Sequence, residues 1–287
     1  MFLCKKCLTI IFMGNLTEEK RAELQRIIDE CNNIVFFGGA GVSTESGIPD
    51  FRSVDGLYNQ KWDYPPETIL SHTFFMRNTA EFYRFYRAKI LIDGIQPNKA
   101  HKKLAELEAA GKLKAVVTQN IDGLHQAAGS KTVYELHGSV LRNYCTKCNQ
   151  FYDATYMRDY IDKAAKDANL APEDYDSPDA RKKWPSTVVP KCTCGNCTGL
   201  IKPDVVLYEE GLDNQTVSGA TRAIAAADCL IIGGTSLVVY PAASFINYFE
   251  GKYLVLINKS STPVDSRADL VINDSIGTVL DSIKVNK

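Results

Sequence analysis

Five apolar runs in this chain each break off, at the carboxyl end, into a short cluster of small or polar residues. IVFF at residues 34–37 runs into Gly38-Gly-Ala-Gly41, and AVVT at 115–118 into Gln119-Asn-Ile-Asp-Gly123. A shorter run at 133–136 leads to His137-Gly-Ser139. CLII at 229–232 leads to Gly233-Gly-Thr-Ser236, and YLVLI at 253–257 to Asn258-Lys-Ser-Ser261. LVI at 270–272 is a last short run. The segments between them carry apolar residues at helical spacing. Thr17 is an N-cap, with Glu18 and Glu19 in the first turn, ahead of Leu24, Ile27, Ile28 and Cys31. Asn98 caps a helix bearing Ala100, Leu104 and Leu107 that ends at Gly111; further helices are expected over 215–227 and 241–250. Helices alternating with continuously apolar strands predict an α/β fold, a Rossmann-like parallel sheet with helices on both faces. Ligands of such sheets sit outside the carboxyl ends of the strands. The polar clusters are therefore expected to meet in one crevice.

The chain of 287 residues is long enough for one large or two modest domains. Lys and Arg number 33 against 34 Asp and Glu, a net charge of −1, which argues against a broad nucleic-acid footprint. With 45% hydrophobic and 23% charged residues it reads as an ordinary soluble globular protein. No apolar run approaches the roughly 20 residues of a membrane span. The apolar stretch at 8–13 is too short for a signal peptide core, so residues 1–13 are read as a leader without fixed structure, and the compartment as cytoplasmic. Two segments interrupt the strand–helix rhythm. Residues 54–95 are aromatic-rich and read as a helical insertion. Residues 142–198 gather closely spaced cysteines.

Nine cysteines without a secretion signal point to metal ligands rather than disulfides. Cys145-Thr-Lys-Cys148 and Cys194-Gly-Asn-Cys197 form two knuckles whose four thiolates suit zinc in a closed, structural site. Cys192 offers a third thiol for the second pair, and the two-residue spacing favours Cys194. The long stretch between the pairs carries a helix expected over 153–169.

Gly39-Ala-Gly41-Val-Ser43 after a strand reads as a phosphate-cradling turn. Thr44 stands where a dinucleotide fingerprint has its third glycine. No ribose-binding acid follows about 20 residues on. A dinucleotide ligand is compatible with this loop, whereas a hydride-transferring dehydrogenase is disfavoured.

GAGVSTESGIPDFRS, TQNIDGLH, ELHGS, the cysteine pairs, IKPDVVLYEE, GTSLVVYPAA and LINKS occur in one order over about residues 15–285. In this the chain resembles the bacterial-type sirtuins, NAD-dependent protein-lysine deacylases. The resemblance implies a Rossmann-type NAD domain of residues 14–53, 96–141 and 199–287. It also implies a small zinc-ribbon and helical domain of 54–95 and 142–198, with acyl-lysine of a protein or peptide entering the cleft between them. The family's reaction has the amide oxygen attack C1′ of the nicotinamide ribose as nicotinamide leaves; a histidine then takes a ribose hydroxyl proton, that ribose oxygen attacks the imidate, and water completes release of lysine and O-acyl-ADP-ribose.

Carried onto this chain, the resemblance makes His137 the general base. Asn120, Ile121 and Asp122 would hold the nicotinamide end. Gly39, Ala40, Gly41 and Thr44 would line the pyrophosphate, and Asp50, Phe51 and Arg52 the reactive ribose. Gln119 would hold ribose hydroxyls, and Gly234, Thr235 and Ser236 phosphate and ribose. Asn258 and Lys259 would meet the adenosine ribose, and Asp274 and Ile276 the adenine side. Val205, Val206 and Tyr208 would pair with the substrate peptide as a strand. His125 and His101 read as structural, and His72 carries no signal. The family usually reads Phe-Gly-Glu where this chain has Tyr208-Glu209-Glu210, which implies either a narrower groove or a preference for basic flanks. Sirtuins that take acidic acyl groups carry Tyr-x-x-Arg in the helical insertion. Here Tyr83-Arg-Phe-Tyr86-Arg87 displaces the arginine by one place, so an acetyl or other neutral acyl group is expected. Two alternatives share the site: mono-ADP-ribosyl transfer, and a catalytically silent NAD sensor.

Overall fold

The computed structural model describes residues 16–53, 55–60 and 62–285; the expected leader at 1–13 lies outside them. Six strands form a parallel sheet: β1 (Ile34–Gly38), β2 (Leu113–Thr118), β3 (Val133–Glu135), β7 (Cys229–Gly233), β8 (Tyr253–Ile257) and β9 (Leu270–Ile272). Their order is β3-β2-β1-β7-β8-β9. Every residue of β1 and β7 is buried, which their continuously apolar sequence requires. Successive side chains of a strand face opposite ways. Ile34 and Phe36 accordingly join Leu24, Ile28, Leu104 and Val279 on one face. Val35 and Phe37 join Ile224, Ile232, Phe245 and Leu256 on the other.

The covering helices start where their caps predict. Thr17 Oγ1 accepts from the Lys20 amide, and the helix runs Glu18–Glu30. Asn98 caps Lys99–Ala109 through the Ala100 and His101 amides. Asp213 caps Asn214–Ala226. The helix expected over 241–250 is a shorter 3-10 segment, Ala242–Tyr248.

The remaining three strands make a separate antiparallel sheet, β5-β4-β6: β4 (Gly138–Cys145), β5 (Phe151–Asp153) and β6 (Ile201–Val205). The expected domain limits at 141 and 199 therefore differ from the strand boundaries. β4 crosses the first limit, and β6 belongs to the smaller sheet. The reason lies in packing: Val140, Ile201, Val205 and Leu207 share a core with Phe75, Phe82, Tyr83 and Phe85 of the aromatic insertion and with Met157 and Ile161. Met157 and Ile161 lie on helix Ala154–Asp167, close to its expected limits. Arg84 is buried at 1% exposure beneath this core. It pairs with Glu81 and Asp63, donates to the Tyr175 carbonyl and lies 4.2 Å over the Trp62 ring. Among the described residues, no helix is long and apolar enough to cross a membrane.

Candidate active site

The sheet order reverses between β1 and β7, so the connections leaving these two strands part and open a crevice at their carboxyl ends. The loop after β1 and the turn after β7 touch there. Gly41 N donates to the Gly234 carbonyl at 2.8 Å. A Cβ on Gly41 would lie 2.8 Å from Gly234 Cα, and one on Gly234, whose φ is +59°, 2.4 Å from Val42 N. Only glycines permit this approach. Glu45 Oε1 accepts from Gly277 N at 2.8 Å and Asn98 Nδ2 donates to the Val42 carbonyl at 2.7 Å, so the loop is braced on both sides.

These loops enclose a cleft of about 910 Å³. It is lined by Ala40, Gly41, Thr44, Asp50, Phe51 and Arg52 from the first loop, and by Gln119, Asn120, Ile121 and Asp122 after β2. His137, Val205, Val206 and Tyr208 line it from the smaller sheet. Gly234, Thr235 and Ser236, then Asn258, Lys259, Asp274 and Ile276, complete the lining. Gly39 is the exception. It packs against the β7 turn, where a Cβ would stand 2.8 Å from Thr235 Cβ.

His137 sits between β3 and β4. Its Nδ1 lies 3.0 Å from the Gln119 carbonyl oxygen. Burial pushes its pKa below the ordinary value, and the hydrogen bond to Gln119 offsets part of that. The His137 carbonyl accepts from Val206 N at 3.0 Å, which ties His137 to the end of β6. Gly138, at φ +76°, makes the turn between them; a Cβ there would fall 1.8 Å from the Asp204 carbonyl oxygen.

Ser43 joins Asn120 to Asp122. Its hydroxyl donates to Asp122 Oδ2 at 2.7 Å and accepts from Asn120 Nδ2 at 3.0 Å, while Leu124 N donates to Asp122 Oδ1 at 2.9 Å. The sequence marks Ser43 only as the hydroxyl residue that closes the glycine turn, not as the bridge between Asn120 and Asp122. Behind this network His101 and His125 stack edge to face, 4.7 Å between ring centroids. Burial pushes their pKa values down to about 4 and about 3, so both are neutral packing groups, as expected. Asp50 Oδ1 accepts from Arg52 N and Ser53 N, so its carboxylate shapes the loop from within.

Two expectations need correction. The first concerns Tyr208. Its backbone pairs with the chain's own segment, N–H to the Leu70 carbonyl at 2.9 Å and carbonyl to His72 N at 3.0 Å. Val206 N–H is likewise bound, to the His137 carbonyl, so of Val205, Val206 and Tyr208 only Val205 turns its backbone to the outer edge of β6. Glu209 and Glu210 reinforce this anchoring. Glu209, a side chain at φ +77°, accepts from Thr73 N at 2.9 Å; Glu210 accepts from Leu207 N at 2.9 Å and pairs with His72 and Lys202.

The second concerns the metal ligands. The sulfurs brought together are those of Cys145, Cys148, Cys192 and Cys197, all within 4.8 Å of one another. Cys194 is exposed and outside the group, and its amide donates to Cys192 Sγ at 3.4 Å. The cause is strand register. Cys192 N donates to the Gly199 carbonyl beside the Lys191–Leu200 bridge, which turns the Cys192 side chain inward toward Cys148. The sulfur separations of 3.5 and 3.6 Å fit a zinc tetrahedron, whose ~2.3 Å bonds give edges of about 3.8 Å.

A profile described as "Sir2 family" matches residues 39–241, about seven tenths of the chain. The chain belongs to the Sir2 family. A curated Sir2-type relative from Clostridium perfringens (strain 13 / Type A), named NAD-dependent protein deacetylase, is 57% identical over 93% of this chain and 99% of its own. A solved Sir2 protein with a deacetylated p53 peptide and 3′-O-acetyl ADP-ribose superposes with a TM-score of 0.74 at 34% identity. That match covers 91% of this chain and 96% of that one. A Sir2 homologue in complex with NAD gives 0.73 at 35% identity, over 93% of both chains.

Proposed function

We infer that this Sir2-family chain is an NAD-dependent protein deacetylase acting on acyl-lysine in proteins or peptides. One observation carries the reading most: His137, with its Nδ1 committed to the Gln119 carbonyl, lines the same cleft as the Gly41–Gly234 turn and the Asn120–Ser43–Asp122 network. NAD held there supplies an electrophilic ribose carbon, a nicotinamide leaving group and the ADP-ribose that accepts the acyl group.

The chain's own groups do the rest. His137 Nε2 accepts a proton from a ribose hydroxyl, and the imidazole is neutral and ready near neutral pH. Asp122 and Asn120, held by Ser43, orient the nicotinamide carboxamide. The loop of Ala40, Gly41 and Thr44 offers backbone donors to the pyrophosphate, and Thr235 and Ser236 take phosphate and ribose from the opposite turn. Phe51 covers the cleft and excludes water. Asn258, Lys259, Asp274 and Ile276 enclose the adenosine end. The acyl peptide adds to the outer edge of β6 at Val205, beside Val206, where backbone pairing gives affinity with little demand on sequence.

A neutral acyl group fits best. Arg87 is bound to Asp162 and Asp93 and to the Leu91 carbonyl, and it does not line the cleft where an acidic acyl chain would need a cation. Tyr83 gives its hydroxyl to the Ile201 carbonyl. Four thiolates would hold zinc with no open position, so the metal's part is to pin residues 145–148 to 192–197. The cytoplasm, with its reduced thiols, suits such a site.

Mass spectrometry of NAD with a panel of acylated peptides tests the reading. Wild type should yield nicotinamide, free lysine peptide and O-acetyl-ADP-ribose, and His137→Ala should not. Nicotinamide release that labels protein without deacylating peptide would replace this reading with ADP-ribosyl transfer. Faster turnover of succinyl-lysine than of acetyl-lysine would overturn the acyl assignment.

A further inference from the structure

The turn Tyr208-Glu209-Glu210 is pinned to the segment at 70–73 by both Tyr208 backbone bonds and by the two glutamates. From that fixed base the Tyr208 side chain crosses to the loop at 50–59, where its hydroxyl meets the Tyr58 hydroxyl at 2.6 Å. Tyr58 is in turn locked to the ribose-facing part of the same loop. Its amide donates to the Phe51 carbonyl at 2.9 Å, its ring meets the Phe51 ring edge to face at 5.5 Å, and the Arg52 guanidinium lies 5.4 Å over it. The loop otherwise satisfies much of itself: Leu57 N donates to the Asp50 carbonyl and Asn59 Nδ2 to the Ser53 carbonyl.

We propose that Tyr208 is a positioning residue for the NAD loop: its hydroxyl, through Tyr58, holds Phe51 and Arg52 over the cleft before NAD arrives. The proposal rests on the deacetylase reading for what the loop covers. It also accounts for one of this chain's departures from the family pattern, because a phenylalanine at 208 has no hydroxyl to give. A loop already held in place loses less conformational freedom when it closes on its ligand, and that gain appears as affinity.

Tyr208→Phe is the decisive variant. It removes one oxygen and restores the residue the family usually carries, so it leaves the fold intact. Without NAD, hydrogen exchange of amides in residues 51–59 should quicken about three- to tenfold, the worth of one net hydrogen bond. The Kd for NAD by calorimetry should rise by a similar factor, and the loss in turnover should fall on KM for NAD. Tyr58→Phe should do the same, and the double variant no more than either single one. Unchanged exchange and NAD affinity in Tyr208→Phe, or additive losses in the double variant, would overturn the proposal. Exchange and NAD binding are read without peptide. They therefore stand apart from the deacetylase reading, which falls instead if wild type leaves every acyl peptide intact.

Discussion

The Nδ1 atom of His137 lies 3.0 Å from the carbonyl oxygen of Gln119. A carbonyl only accepts, so Nδ1 carries the proton and the lone pair sits on Nε2. A backbone group, not a carboxylate, sets the tautomer. His137 therefore gains orientation without the charge partner that would raise its pKa.

That arrangement sets the pH profile. His137 must be neutral to accept a proton, and burial lowers its pKa from the ordinary 6.5. The rate should hold as pH falls through 6.5 and decline only below it, as the imidazole protonates. A rate profile of kcat/KM against pH checks this, and an acid limb above pH 7 would contradict it. His137→Ala should cost about 10²- to 10⁴-fold in kcat.

Ser43 is the hinge pin between Asn120 and Asp122. Ser43→Ala should leave both without their shared partner inside a buried site, at about 1–3 kcal/mol. Steady-state kinetics should show kcat/KM for NAD reduced about 5- to 150-fold. Retention of full activity would mean that the Asn120–Ser43–Asp122 chain plays no part in catalysis.

The two candidate ligands at the second knuckle separate cleanly. Cys192→Ser should lower bound zinc measured by elemental analysis and destabilise the small sheet in thermal melts. Cys194→Ser should retain one zinc per chain and melt close to wild type. The reverse pattern would restore the sequence-based choice.

His101 and His125 predict acid sensitivity. Their folded pKa values, about 4 and about 3, are depressed below the ordinary 6.5. The stability tied to neutral imidazole is thus present above pH 6.5 and lost as pH falls, because the unfolded chain takes up protons that the folded one refuses. Urea unfolding between pH 6.5 and 5 should show stability falling with pH, by about 1 kcal/mol per pH unit for each such histidine. His125→Phe should flatten that slope, and an equal slope in the variant would speak against the assignment.

Much of this protein is legible in local pattern. The strand runs, their glycine breaks and the caps at Thr17 and Asn98 gave the parallel sheet and its crevice. The long motifs GAGVSTESGIPDFRS and TQNIDGLH gave the loops that line it. These features depend on residues near one another in the chain, where propensity and periodicity act directly. Cys192 was chosen over Cys194 by the Gly199 register, which no spacing rule contains. β6 joined the smaller sheet because its neighbours at Val140 and Phe82 were apolar, although they come from distant segments. Ser43 gained its place only when Asn120 and Asp122, from the loop after the neighbouring strand β2, folded onto it. Tyr208 spent its backbone on Leu70 and its hydroxyl on Tyr58. The sequence determined which segments become strands, turns and ligand-bearing loops. Tertiary structure decided which side chains meet, because a hydrogen bond or a metal site is set by distance in space and not along the chain.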